Sequence, residues 1–154
     1  MLGSPYQCGG YLSLQPDLPD YLVPTGTWSI VAVAHTKLSA SVAEQFRVAV
    51  LRPAGTTGTG FTVAALSPIL TAPSSADPVA RLSLDVPLPV QAGDVLGIVS
   101  FAGTYCQLRN QAAAGSIWYA LGATGVTTGT TITPTRIAGI QSSALNLEAQ
   151  LVPR

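Results

Sequence analysis

Short apolar segments separated by glycine, proline, serine and threonine recur along the whole chain, and inside many of them apolar and polar side chains alternate. The clearest case is RLSLDV, from Arg81 to Val86, in which Leu82, Leu84 and Val86 fall on one side of an extended strand. Alternation with a period of two is typical of an antiparallel strand with one face in a core and the other in solvent. The chain is therefore expected to consist mainly of strands.

The same pattern, bounded each time by turn residues, predicts nine short strands and very little helix. We expect an all-β fold, a two-sheet antiparallel β-sandwich that is jelly-roll-like and has about eight or nine strands. Pro87 and Pro89 are expected to limit pairing beyond the RLSLDV segment. The predicted strands are Tyr11–Leu14, Thr27–Lys37, Glu44–Arg52, Phe61–Leu66, Val79–Val86, Val95–Phe101, Ser116–Leu121, Thr130–Thr133 and Leu145–Leu151.

The chain has 154 residues and is 47% hydrophobic, which suits one domain with a substantial core, predicted to span residues 1–150. The last four residues, LVPR, match the sequence left upstream when thrombin cuts a tag linker. Residues 151–154 are therefore predicted to be a tag remnant. The first four residues lack the basic region and apolar core of a signal peptide. Our hypothesis is that a natural secretion signal has been removed.

Ionisable side chains are scarce, because seven Lys or Arg and seven Asp or Glu make up only 9% of the chain. A typical soluble domain devotes about a quarter of its residues to charge. The formal net charge is zero and no basic cluster occurs, which argues against nucleic-acid binding. No apolar stretch reaches the roughly 18 residues of a membrane helix, so no membrane insertion is expected. A neutral surface favours association, which makes a homo-oligomer an expected partner.

The two cysteines, Cys8 and Cys106, lie far apart in the sequence. A disulfide between them would close a loop of nearly a hundred residues and stabilise the fold by roughly 4 to 5 kcal/mol in the chain-entropy model. Two cysteines in a lysine-poor, threonine-rich chain favour a bridge and an oxidising compartment. We therefore predict a disulfide between Cys8 and Cys106 in a secreted or cell-surface protein. The alternative to the disulfide is two free buried thiols.

Few side chains are available for catalysis. His35 is the sole imidazole and no Gly-x-Ser-x-Gly motif occurs, so a serine-hydrolase site is not indicated. The position of His35 near the end of a strand predicts a partly exposed or structurally hydrogen-bonded ring. Zinc would need further ligands and calcium an EF-hand pattern, and neither is found. No enzyme activity, metal or cofactor is therefore expected.

Glycoside hydrolysis requires two carboxylates about 5 to 10 Å apart. Most of the acidic residues follow or precede proline or glycine, where aspartate stabilises local turns, so turn formation is the expected role. The acidic residues are Asp17, Asp20, Glu44, Asp77, Asp85, Asp94 and Glu148.

Aromatic side chains are the stronger indication of a ligand site, because sugars stack on exposed indole and phenol rings. Trp28, Trp118 and Tyr119 are the candidates for stacking, with core packing as the alternative for each tryptophan. Trp118 and Tyr119 are neighbours in a predicted strand and should point to opposite faces. Tyr6, Tyr11 and Tyr21 lie in the less regular N-terminal part and are expected to cover a sheet edge or form a binding shelf.

A threonine-rich segment, GATGVTTGTTITPT, runs from Gly122 to Thr135. If it were extended, Thr131, Thr133 and Thr135 would share one face, as in arrays that order water on ice or another crystalline surface, although a solvated edge strand explains them equally. Edge strands usually carry charge that blocks unwanted pairing, and this segment has none before Arg136. It is therefore a candidate for strand addition by a partner or for an oligomer contact.

Three segments of the chain are VPTGT at Val23–Thr27, FRVAVLRP at Phe46–Pro53 and PVQAGDVLG at Pro89–Gly97, and Cys106 follows soon afterwards. Together they resemble secreted β-sandwich domains of actinobacterial type. The resemblance covers most of the chain from Cys8 to Gln150. It implies a jelly roll with an early and a late cysteine and no established activity.

Together these features predict a noncatalytic extracellular β-sandwich module for binding or structural assembly. Its expected partners are a second copy of the chain or a glycan or other cell-surface ligand. The alternative is a carbohydrate-binding module that uses Trp28, Trp118 and Tyr119.

Overall fold

The structure is a computed structural model that describes residues 6–7, 9–37, 39, 41–101, 103–109, 116–136 and 143–154. The described chain is all-β, with antiparallel pairing throughout and two short 3-10 turns, Pro19–Tyr21 and Ala123–Gly125. The predicted fold class is therefore confirmed. The strands are β1 Tyr6–Gln7, β2 Tyr11–Leu14, β3 Thr27–Thr36, β4 Glu44–Ala54, β5 Gly60–Leu66, β6 Leu70–Ala72, β7 Val79–Gln91, β8 Val95–Ser100, β9 Tyr105–Arg109, β10 Trp118–Leu121, β11 Thr131–Ile132, β12 Thr135–Arg136, β13 Ser143–Leu145 and β14 Leu147–Pro153.

These strands form one large and two small sheets. The large sheet has the order β11-β5-β4-β8-β2-β10-β12, and β6 also pairs with β4. A three-stranded sheet, β14-β3-β7, packs across it, and a second small sheet has the order β1-β9-β13. There are more strands than the sequence predicted, because strands of only two or three residues, such as β1, β6 and β12, carry too little periodicity to be recognised.

The large sheet buries apolar side chains on both faces. On β4, Phe46, Val48 and Val50 join the core shared with the three-stranded sheet. Ala49 and Leu51 on the opposite face belong to a second core and are also completely buried. Between Gln45 and Leu51, this second face is exposed only at Gln45. Eight further buried side chains complete the second core, among them residues from β2, β5 and β8.

The second core is enclosed because the large sheet curls. Its two border strands, β11 and β12, follow each other in the chain and are separated only by Thr133 and Pro134. Three successive Cα–Cα steps span at most about 11 Å, so Ile132 at one border lies within that distance of Thr135 at the other. The threonine-rich segment is thus a link that brings both borders together. The shared threonine face considered for an extended segment would need a continuous strand, but the strand is interrupted at Thr133 and Pro134.

Strand β7 is longer than predicted and contains a wide bulge. Its partner β3 pairs Ala32 with Ser83 and Ile30 with Leu88, so four β7 residues lie between positions that are two residues apart on β3. Pro87 lies in this bulge and interrupts the ladder locally, but pairing resumes and Pro89 lies opposite Ser29. The bulge also reverses the expected orientation of Val86, whose side chain is 68% exposed.

The end of the chain takes part in the fold. Residues 151–153, predicted to be a tag remnant outside the domain, extend β14 and pair with β3 from Ile30 to Trp28. The backbone N–H of Arg154 also donates to the carbonyl of Thr27. The origin of these residues stays a prediction, whereas their position in the sheet is a structural fact.

Candidate functional site

The most distinctive surface feature is the outer edge of β14. In the described part of the chain this seven-residue strand pairs with β3 alone, so its other side carries backbone groups that no neighbouring strand uses. Leu147, Ala149 and Leu151 point towards the core shared by the two layers, whereas Glu148 and Gln150 point outwards. An edge of this kind is a template for a further strand.

A cleft of about 360 Å³ lies beside this edge, between β14 and the 3-10 turn Pro19–Tyr21. Its size is at the lower end of small-molecule and side-chain pockets. Most of the lining is apolar, and two carboxylates and one phenol lie on it. The lining residues are Asp20, Tyr21, Leu22, Val23, Leu96, Leu147, Glu148, Ala149 and Leu151.

The wall opposite β14 is held in place by backbone contacts. Pro19 is the first residue of the 3-10 turn, a position that needs no backbone N–H. Leu22 then forms an isolated β-bridge with Val95, and the N–H of Val23 donates to the carbonyl of Asp94 at 2.8 Å. The wall is thereby anchored to the start of β8, which lies in the large sheet. The cleft is thus a gap between two fixed layers.

Tyr21 crosses the inner end of the cleft. Its hydroxyl donates to the carbonyl oxygen of Leu145 at 2.9 Å. The pKa of Tyr21 is raised to about 12, mainly by burial; the hydrogen bond to Leu145 lowers this pKa, and the nearby carboxylates of Asp20 and Glu148 contribute smaller increases. The expectation that Tyr21 covers a sheet edge fits this position. The cleft therefore combines an apolar surface with negative potential at its rim.

The residues most suited to chemistry lie elsewhere and are sealed from solvent. Nε2 of His35 lies 2.7 Å from Oε2 of Glu44, and both side chains are completely buried. The imidazole also stacks on Phe46, with ring centroids 4.3 Å apart. The partly exposed histidine considered from the sequence is not observed. A substrate cannot reach this pair without opening the core.

Asp77 and Asp94 have the turn-stabilising role predicted for them. Oδ1 of Asp77 accepts a hydrogen bond from the backbone N–H of Val79 at 2.8 Å. Asp94 accepts one from the N–H of Gln91 at 3.0 Å and forms a two-pronged ion pair with Arg52, at 2.9 and 3.0 Å. This ion pair raises the pKa of Arg52, with the side-chain hydrogen bond to Asp94 as the main cause. Both aspartates therefore serve the architecture of the loops.

The three stacking candidates do not share a surface. Trp28 is half-buried against the core between the layers, and its indole N–H donates to the carbonyl of Thr25 at 3.1 Å. Trp118 is half-buried against the second core, and its indole N–H donates to Asp17 at 3.1 Å. Tyr119 makes an edge-to-face contact with Tyr11, with centroids 5.6 Å apart. Each of the three rings is thus partly used in packing.

The predicted disulfide concerns Cys8, which lies outside the described residues, and Cys106, which belongs to β9. The pairing therefore stays a prediction. Within the described ranges, no group of three or more His, Cys, Asp or Glu side chains could hold a metal ion. None of the helices in that part of the chain is long and apolar enough to cross a membrane.

No known protein family, curated protein or solved structure gives a significant match to this chain. The site is therefore defined by its own geometry. Sequence reasoning named Asp20, Tyr21 and Glu148 but did not bring Glu148 together with the other two, because the 3-10 turn and β14 lie near opposite ends of the chain. The contact between Tyr21 and Leu145, 124 positions apart, illustrates this separation.

Proposed function

We propose that this protein is a noncatalytic extracellular module that binds or assembles with a partner through the β14 edge and the adjoining cleft. The observation that carries the proposal is the coincidence of an unpaired strand edge with an apolar cleft of about 360 Å³. An extended segment can pair with such an edge through its backbone and place alternate side chains in the cleft. This combination gives affinity from main-chain hydrogen bonds and selectivity from the lining.

The composition and the position of the reactive groups support a binding role over catalysis. The sole histidine is occupied by Glu44 and Phe46 inside the core. The exposed carboxylates Asp20 and Glu148 face an apolar cleft without a histidine or cysteine among its lining residues. The extracellular location belongs to the same proposal and rests on the two cysteines and the resemblance to secreted domains.

A peptide-display experiment tests this role directly. A library of randomised ten-residue peptides would be selected on the wild-type protein, and the enriched peptides compared on two variants. Leu22→Asp places a charge in the cleft lining, where Leu22 is 38% exposed, whereas Val42→Asp makes the same change at an exposed apolar residue elsewhere. We expect enriched peptides with alternating apolar residues that lose binding to the Leu22 variant and keep binding to the Val42 variant.

Backbone pairing gives a second readout from the same peptides. N-methylation of the peptide N–H groups that point towards β14 should abolish binding. N-methylation of the alternate N–H groups, which point away from β14, should leave binding intact. The proposal is wrong if no peptide is enriched, or if the enriched peptides bind the Leu22→Asp protein as tightly as the wild type.

The carbohydrate-binding alternative has one favourable feature, the half-exposed indole of Trp118 beside the exposed carboxylate of Asp17. An aromatic face with an adjacent acceptor suits sugar hydroxyls. A glycan array probed with the wild type and with Trp118→Ala distinguishes the two roles. Binding that disappears in the Trp118 variant would favour the alternative, whereas an array without hits would favour the β14 edge.

A further inference from the structure

The outer face of the β14-β3-β7 sheet is the second unusual surface of the molecule. Residues that alternate with the core positions of the three strands form three rows across it. Each row takes one residue from β7, one from the central strand β3 and one from β14. The rows are Arg81, Ala34 and Glu148; Ser83, Ala32 and Gln150; and Pro89, Ser29 and Val152. We use "outer face" for these nine residues.

The outer face has small, uncharged residues at its centre. Ala34, Ala32 and Ser29 of β3 form the middle of the three rows, and all are partly exposed. A trough of about 160 Å³ lies over the two alanines, with Arg81 on one side and Glu148 and Gln150 on the other. The solvated face of an antiparallel sheet is normally polar, so a smooth central strand suggests that another surface covers it.

The two charges of the outer face do not neutralise each other. Arg81 and Glu148 flank Ala34 in the same row, two strand spacings or roughly 10 Å apart. In the described part of the chain neither residue takes part in an ion pair. One positive and one negative charge, placed symmetrically about the central strand, are therefore presented outwards.

We infer that the outer face binds the outer face of a second copy of this chain, forming a twofold symmetric dimer. The twofold axis is parallel to β3 and lies between the two faces. It places β7 of each copy opposite β14 of the other, so that Arg81 of each copy comes opposite Glu148 of the other. The arrangement is self-complementary, as a closed dimer interface must be. The small side chains of β3 let the two sheets approach closely, and zero net charge removes general repulsion between the copies.

The area of the outer face determines the expected affinity of the dimer. Three strands about 4.8 Å apart and eight residues of about 3.3 Å cover a plan area of roughly 400 Å² on each copy. Stable interfaces bury about 800 Å² on each side, and smaller ones belong to weak and reversible contacts. We therefore expect a dissociation constant of about 0.1 to 1 mM. An association of this strength suits a module that is presented in many copies, where linkage adds avidity.

Charge exchange tests the dimer. Sedimentation equilibrium up to about 2 mM should show the mean mass of the wild type rising from 15.8 kDa towards twice that value. Arg81→Glu and Glu148→Arg should each weaken association by about tenfold or more, because each places like charges opposite each other twice per dimer. The double variant should return to within about threefold of the wild type, and an equimolar mixture of the two single variants should form a heterodimer.

The control is Arg136→Glu, which makes the same change at an exposed arginine of β12 outside the outer face. It should associate like the wild type, and unfolding curves should confirm that all variants are folded. A wild type that stays monomeric at 2 mM overturns the inference, as does a double variant that remains as weak as the single ones. Glu148 belongs to both surfaces, but Arg81 lines only the outer face and not the cleft beside β14, so Arg81→Glu separates the dimer from the peptide site.

Discussion

The imidazole of His35 and the carboxylate of Glu44 form an ion pair or charge-assisted hydrogen bond of 2.7 Å in a part of the core without solvent contact. Glu44 begins β4 and His35 lies near the end of β3, so the pair joins the two layers of the sandwich. The stacking of the imidazole on Phe46 adds a packing contact at the same place. The sole histidine is therefore a structural residue in this fold.

Removal of the imidazole should destabilise the protein strongly. His35→Ala takes away one partner of a buried carboxylate and leaves a cavity beside Phe46, so we expect the free energy of unfolding to fall by about 3 to 5 kcal/mol. Urea denaturation monitored by circular dichroism measures this change. Asp85→Ala, at an exposed residue of the β7 bulge, is the control and should change stability by less than about 0.5 kcal/mol. A loss below 1 kcal/mol for His35→Ala would contradict a structural role.

The ion pair between Arg52 and Asp94 should contribute to stability through the buried carboxylate. The Asp94 side chain is 1% exposed and the Arg52 side chain 42%, so deletion of the arginine leaves a desolvated charge. We expect Arg52→Ala to cost about 2 to 3 kcal/mol and Arg52→Lys somewhat less, since lysine lacks the planar pair of donors. Arg136→Ala should be nearly neutral in the same denaturation assay. If Arg52→Ala and Arg136→Ala changed the free energy of unfolding equally, the ion pair would contribute nothing to stability.

Gly97 should tolerate no side chain. A Cβ atom at this position would lie 3.0 Å from both the Cδ1 atom of Leu51 and the carbonyl oxygen of Ser13. The oxygen belongs to the neighbouring strand β2 and cannot move without disturbing the ladder, so Gly97→Ala is expected to destabilise the fold by about 1 to 3 kcal/mol. Gly125→Ala is the matched control, because nothing lies within 4 Å of its added carbon. Thermal unfolding of the two variants should differ clearly, and equal melting temperatures would contradict the close approach.

The titration of Tyr21 makes stability depend on pH in the alkaline range. The pKa of its phenol is about 12 in the fold and 10 for an unperturbed tyrosine, so the folded state holds the proton more tightly. The stabilisation is complete below pH 10 and is lost as pH rises from 10 to 12. Tyr21→Phe should remove this part of the decline. The measurement is the urea midpoint of both proteins between pH 8 and 11.5, and parallel curves would contradict the raised pKa.

Much of the fold follows from local patterns that the sequence displays. The bounds of β2 were predicted correctly, and those of β3 and β8 to within one residue, because apolar periodicity and turn residues coincide there. The predicted end of β7 was wrong, because a bulge accommodates proline in a strand at the edge of a sheet. Local patterns carry no information on how far the partner strand extends.

The cleft beside β14 could not have been predicted from the sequence. Tyr21 was expected to cover a sheet edge, but the sequence does not say which edge, and the strand it meets lies at the other end of the chain. Similarly, Glu44 and His35 were both noted as candidates for chemistry, yet only the pairing of the layers shows that they meet inside the core. Contacts between distant segments depend on topology, which periodicity does not encode.

The short link through Thr133 and Pro134 also affects how well the fold resists aggregation. Both borders of the large sheet are covered by strands of only two residues, and these strands belong to one continuous stretch of chain. A single proteolytic cut in this link would free one end of each border strand, and loss of their pairing would expose the outer edges of β5 and β10 to strand addition. The same few residues that complete the architecture therefore also shield two strand edges from intermolecular pairing.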